Sequence, residues 1–187
     1  QGIFAWLVFP ILGAMLAVPE GHSLWELYAA YPKESALTAL FGVLWGVGGL
    51  TFGLSMRYLG VALGQSIALG TCAGLGTILT PLLLGRPGDL TTAVVAGVVV
   101  TLLGIAVIMK SQSLSEEEKQ AAVKDFNFTK GIAVALLAGF MSACFSIGLG
   151  FGEPLNFGDA TADIYKTLPA TFMVTLGGFM TNAVYCL

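Results

Sequence analysis

Apolar residues form long, nearly charge-free runs along the chain, and polar residues collect in the segments between these runs. A run of about 20 predominantly apolar residues can cross a bilayer core, where a helix satisfies its own backbone hydrogen bonds. The alternation of polar and apolar residues that is typical of barrel strands is not seen in these runs. The pattern predicts six membrane-spanning helices, at Ile3–Val18, Ala36–Met56, Gly60–Leu84, Thr92–Met109, Gly131–Gly152 and Leu168–Leu187.

The composition indicates the same lipid environment. The 187 residues are 56% hydrophobic and 10% charged, whereas soluble domains carry about 25% charged residues. Polar side chains are therefore too few to cover a soluble globule, and we expect an all-α, polytopic membrane helix bundle. Gln1 is not an initiator residue and Leu187 ends inside an apolar run, so we also expect a fragment of a longer protein.

The polar segment at residues 111–130 predicts the main boundary of the chain. Residues 1–110 hold four of the predicted spans and residues 131–187 hold two. Within the segment, Ser113 and Ser115 precede three glutamates, a pattern that favours a short surface helix. Both a solvated tether and a regulatory element fit this composition.

Basic residues predict the orientation of the spans, because they are more frequent in cytoplasmic loops. One side would hold Arg57, Lys110, Lys119, Lys124 and Lys130, and the other Lys33, Arg86 and Lys166. The Arg57 loop and the 111–130 segment are therefore expected in the cytoplasm. A faint similarity between Leu12–Val18 and Leu176–Val184, in spans of opposite direction, is typical of inverted five-helix repeats.

Glycines recur four residues apart within the predicted spans, and this spacing lets helices approach closely in lipid. Close packing is predicted at Gly42/Gly46, Gly49/Gly53, Gly60/Gly64, Gly70/Gly74 and Gly148/Gly152. Some of these positions could also open a ligand cavity. At the end of the third span, Gly85 is expected to cap the helix.

Polar and aromatic residues inside the spans are the candidates for a binding site, because polar groups are costly in lipid. Gln65 shares a helix face with Cys72, and Trp45 shares one with Phe52. An amide beside aromatic rings suits a sugar, whose hydroxyl groups bind amides and whose C–H faces pack on rings. Packing alone would equally explain these residues.

A second polar face is predicted around the fifth span. Ser142 and Ser146 lie in phase with Glu153, the first carboxylate after this span. A carboxyl group that is partly removed from water binds a proton more readily, which would suit proton coupling. An exposed loop residue before Pro154 is the alternative interpretation of Glu153.

Other chemistries find little support in the sequence. His22 is the only histidine, and Cys72, Cys144 and Cys186 are widely spaced, so no metal site, catalytic dyad or cofactor is predicted. Nucleotide-binding glycine motifs are absent. The net charge of −3 makes nucleic acid a poor partner.

Three stretches resemble the L-rhamnose/proton symporter family of the drug/metabolite transporter superfamily. They are FGVLWGVGGLTFGLSMRYLGVALGQSIALG (41–70), DFNFTKGIAVALLAGFMSACFS (125–146) and LPATFMVTLGGFMTNAVYCL (168–187). The resemblance implies a ten-helix inner-membrane carrier of two inverted five-helix halves, of which this chain would span helices two to seven. It also implies import of L-rhamnose with a proton in bacteria, with Arg57 anchoring the cytoplasmic end of its helix.

Departures from the family pattern leave the substrate open. Gly49, Thr51 and Phe52 stand where two asparagines and a tyrosine are expected, and Glu153 stands where lysine is frequent. Two alternatives to import of L-rhamnose with a proton therefore remain. The protein could carry another sugar or metabolite, with another coupling ion or as an exporter, or it could be a membrane sugar sensor that does not transport. The oligomeric state is not predicted.

Overall fold

A computed structural model describes residues 2–111 and 126–187. These described residues form helices and no strand, so the all-α prediction is confirmed. A π-helical segment at Phe4–Val8 leads directly into the first α-helix. The seven α-helices of this part of the chain are α1 (Phe9–Leu16), α2 (Leu24–Ala30), α3 (Pro32–Leu59), α4 (Val61–Leu83), α5 (Thr92–Ser111), α6 (Phe128–Phe151) and α7 (Leu168–Cys186).

All six predicted spans are helical. Helices α3, α4 and α6 are long and apolar enough to cross a membrane, whereas Phe4–Leu16 and Thr92–Ile108 are shorter apolar helices. Helix α3 extends beyond its predicted bounds at both ends. It begins at Pro32, where the missing N–H costs nothing, and ends before Gly60, whose φ of 83° leaves the helical region.

Contacts divide the chain into two compact units, which are described separately. The first unit comprises Gln1–Gly46 and Cys144–Leu187, and the second comprises Val47–Ala143. The predicted surface helix near Ser113 and Ser115 lies outside the described residues. The division of the chain into two halves by a connection at residues 111–130 stays a prediction.

In the second unit, the core forms between α4 and α6. Leu63 and Ile67 of α4 pack with Ala135 and Ala138 of α6. A Cβ atom at Gly139 would lie 2.6 Å from the Ala68 carbonyl oxygen, so only glycine permits this approach. Small residues therefore bring the two backbones together, as in other membrane helix pairs.

The end of α4 confirms the predicted cap. Gly85 has a φ of 69°. Its N–H donates to the Leu82 carbonyl at 3.2 Å, and the N–H of Arg86 donates to the Pro81 carbonyl at 2.8 Å. This pair of bonds is a Schellman motif, in which glycine adopts the left-handed conformation without strain.

In the first unit, the connection between α6 and α7 packs against the end of α1. The Thr161 hydroxyl donates a buried hydrogen bond to the Ala17 carbonyl at 2.6 Å. On α2, the Tyr28 hydroxyl donates to the Pro169 carbonyl at 3.1 Å, and burial raises the pKa of Tyr28 above its ordinary value. These contacts link the connection and the first turn of α7 to α1 and α2.

The predicted glycine contacts are observed at most positions. Gly42 and Gly46 face α7, Gly64 faces Ser55, Gly70 faces Ile105, and Gly148 and Gly152 face side chains of α3 and α7. Gly49 and Gly53 differ, because a Cβ atom there would meet no atom of the described chain within 4 Å. Close packing at these two positions is not seen in the part that the structure describes.

Candidate functional site

In the first unit, residues 32–46 of α3 pack backbone against backbone with α7. A Cβ atom at Gly46 would lie 2.8 Å from Cβ of Thr181, and one at Gly178 would lie 2.6 Å from the Trp45 ring. The Thr181 hydroxyl donates to the Val43 carbonyl at 3.0 Å, which adds a polar link between the helices. The interface thus holds Trp45 against the backbone of α7.

Trp45 is the centre of an aromatic cluster in the first unit. Its ring centroid lies 5.4 Å from that of Trp6 and 5.0 Å from that of Phe145. Both pairs are tilted, an arrangement that favours the interaction between aromatic quadrupoles. The predicted contact of Trp45 with a substrate stays a prediction, but the cluster shows which rings surround it.

Asn182, on α7, was missed by the sequence interpretation. Its Nδ2 donates to the Gly178 carbonyl at 2.9 Å and to the Gly46 carbonyl at 3.4 Å. Because both partners are acceptors, the NH₂ group must face them, and Oδ1 remains as the acceptor of this side chain. Asn182 is an amide inside a predicted span, and the argument that selected Gln65 would have selected it too.

A cavity of about 330 Å³ adjoins Asn182 in the first unit, and its walls are mostly apolar. Trp6, Phe179, Ala183 and Cys186 contribute to these walls. The volume is at the lower end of the range of small-molecule pockets, which commonly combine apolar walls with few polar groups. Trp45 is linked to this cavity through its ring contact with Trp6.

Four of the predicted site residues belong to the second unit. Gln65 is exposed on α4, and Arg57 is exposed in the last turn of α3, where a positive charge suits the helix dipole. Phe52 packs against the core of the unit. Ser142 lies close to Gly48, since a Cβ atom there would be 3.0 Å from the serine Oγ.

Ser146 and Glu153 belong to the first unit, and both are exposed on this chain. Helix α6 ends at Phe151, so Glu153 lies in the turn beyond it rather than on its face. The Glu153 N–H donates to the Gly150 carbonyl at 3.2 Å, which closes this turn. Proton coupling by Glu153 stays a prediction.

Residues that could bind a metal do not gather in the described part of the chain, where no group of three or more His, Cys, Asp or Glu side chains occurs. Cys144 is buried and Cys186 is exposed. The chemistry available in the described site is therefore that of aromatic rings, hydroxyl groups and amides.

Apolar helices of spanning length that pack closely at glycines are typical of an all-α membrane protein. The model of the L-rhamnose-proton symport protein family matches residues 1–187, and the chain belongs to this family. The family consists of symporters and not of enzymes.

Curated relatives carry the same name. The chain is 32% identical to an L-rhamnose-proton symporter of Cronobacter sakazakii, over 99% of this chain and 55% of the relative. Symporters of Yersinia pestis and Yersinia pseudotuberculosis are also 32% identical, over 99% of this chain and 56% of each relative. The chain thus spans about half the length of these relatives. No solved structure matches it significantly.

Proposed function

We propose that the protein to which this chain belongs imports L-rhamnose together with a proton across the bacterial inner membrane. The observation that carries this proposal is the match of the symporter family model to residues 1–187. Relatives with the same printed name, and helices of spanning length, support it. Transport would proceed by alternating access, the mechanism usual for carriers built from repeated halves.

The test uses the complete open reading frame, expressed in cells that lack their own rhamnose uptake. L-Rhamnose is added to a lightly buffered suspension of these cells, and the external pH is followed. Symport removes protons from the medium, so we expect a sugar-dependent rise in pH that a proton uncoupler abolishes. Cells with an empty vector provide the control.

Other results would point to the alternatives. Uptake of labelled sugar without a change in pH would contradict proton coupling and direct attention to sodium. Sugar binding without uptake would indicate a sensor rather than a carrier. Neither uptake nor binding of L-rhamnose, with the protein present in the membrane, would contradict the proposed substrate.

A further inference from the structure

The cavity beside Asn182 combines the features that a single sugar ring requires. It is partly open and is lined largely by apolar atoms, two of its walls carry aromatic rings, Trp6 and Phe179, and one carries an amide. Binding sites for small molecules commonly have this composition, in which apolar walls supply contact area and few polar groups supply orientation. The remaining question is which polar atom is available.

The hydrogen bonds of Asn182 answer this question. The NH₂ group is engaged by two backbone carbonyls, on Gly178 of its own helix and on Gly46 of α3. These bonds hold the amide in one orientation, and its carbonyl oxygen Oδ1 can then accept a hydrogen bond from a hydroxyl group. An acceptor held in place before binding loses little entropy when a ligand arrives.

We propose that the transported sugar binds in this cavity, where Asn182 Oδ1 accepts a hydrogen bond from a sugar hydroxyl and the rings of Trp6 and Phe179 pack on its C–H face. The inference rests on the proposed function for the identity of the ligand. It assigns the contact to residues other than the sequence-predicted Gln65 and Phe52. Trp45 would act through Trp6, as a positioning residue.

The first test replaces Asn182 by Ala in the complete protein and measures initial rates of L-rhamnose uptake. We expect KM to rise about tenfold, since a tenfold change corresponds to about 1.4 kcal/mol, near the net contribution of one neutral hydrogen bond. The maximal rate per molecule of membrane protein should change much less. An unchanged KM, with normal abundance, would overturn the proposal.

A matched control separates binding from packing. Thr181→Val removes a hydrogen bond from the same α3–α7 interface but changes no side chain that lines the cavity. Its KM should equal that of the parent protein even if its abundance falls. An equal rise in KM for both variants would mean that Asn182 acts only by joining the helices, and would overturn the proposal.

The second test uses Cys186, which lines the same cavity and is exposed. In the complete protein with every cysteine except Cys186 replaced by Ala, Cys186 is alkylated by N-ethylmaleimide in the presence and absence of L-rhamnose. We expect the sugar to slow alkylation, and the concentration giving half-protection to increase in Asn182→Ala. A thiol that does not react, or that reacts equally with sugar present, would overturn the proposal.

A second cavity variant keeps the Asn182 hydrogen bonds, so it tests the cavity even if Asn182→Ala fails to fold. Cys186→Phe adds volume to the cavity without altering the bonds to Gly46 and Gly178, so it should raise KM at normal abundance. Failure of this inference can be distinguished from failure of the proposed function. Proton-coupled uptake with unchanged KM in both cavity variants would leave transport established and place the sugar elsewhere.

Discussion

At the residue scale, Glu153 is the candidate for proton coupling that the sequence singled out, and the structure places it in an exposed turn after α6. Glu153→Gln replaces the carboxyl group by an amide at nearly constant shape. We expect the variant to exchange internal for external sugar normally but to accumulate no sugar against a gradient, because only net symport requires proton release. Sugar counterflow and uphill uptake, measured side by side, check this prediction.

Asp159→Asn is the matched control for this prediction. Asp159 is an exposed carboxylate of the same connection and lies 3.6 Å from the amino group of Lys166, which also contacts Asp163 at 2.8 Å. The control should retain accumulation. Uphill uptake by Glu153→Gln would exclude this carboxylate and direct the search to the parts of the protein beyond this chain.

Only some residues of the candidate site could be predicted from the sequence. The rule that polar groups in lipid mark functional sites selected Gln65, and applied to Asn182 it would have found the amide that adjoins a cavity. Trp6 had no comparable signal, since an aromatic residue in an apolar span is usually explained by packing. Its significance comes from the contact with Trp45, which only the folded chain brings about.

At the element scale, the α3–α7 pair depends on the absence of side chains at its crossing. Gly178→Ala would place a Cβ atom 2.6 Å from the Trp45 ring, so the ring or the helix must move. Overpacking of this kind typically costs about 1–3 kcal/mol. We expect a lower midpoint of thermal unfolding in detergent and a lower abundance in the membrane.

Gly49→Ala is the corresponding control on α3, where an added Cβ atom meets no described atom within 4 Å. Alanine also has the higher helix propensity, so this variant should unfold at the same temperature as the parent or slightly above it. Equal loss of stability in both variants would contradict the assignment of Gly178 to a close helix crossing.

At the scale of the whole molecule, the distribution of basic residues predicts that Lys130 faces the cytoplasm and Lys166 the opposite side. Lys130 lies in the first turn of α6, the one candidate span that separates it from Lys166 in the described chain. In a background without native cysteines, Lys166→Cys should react with a membrane-impermeant thiol reagent added to spheroplasts. Lys130→Cys should react only after the membrane is opened.

Arg86→Cys provides the control, since it is predicted on the same side as Lys166 and should label like it. Reversed labelling of all three positions would mean that the basic residues do not set the orientation of this chain. Labelling of Lys130→Cys and Lys166→Cys from the same side would show that α6 does not cross the membrane.

The sequence by itself determined the helical class, the approximate bounds of six apolar helices and the cap at Gly85, because these follow from periods, run lengths and single-residue conformational preferences. The sequence also determined the family, because its motifs can be compared directly with those of relatives. Tertiary structure alone decided which glycines are in contact: Gly46 and Gly178 are, whereas Gly49 and Gly53 meet no neighbour in the described chain. It also decided that Asn182, Trp6 and Phe179 line one cavity. Helices become neighbours through packing between residues that are far apart in the chain, and a local sequence pattern does not predict such packing.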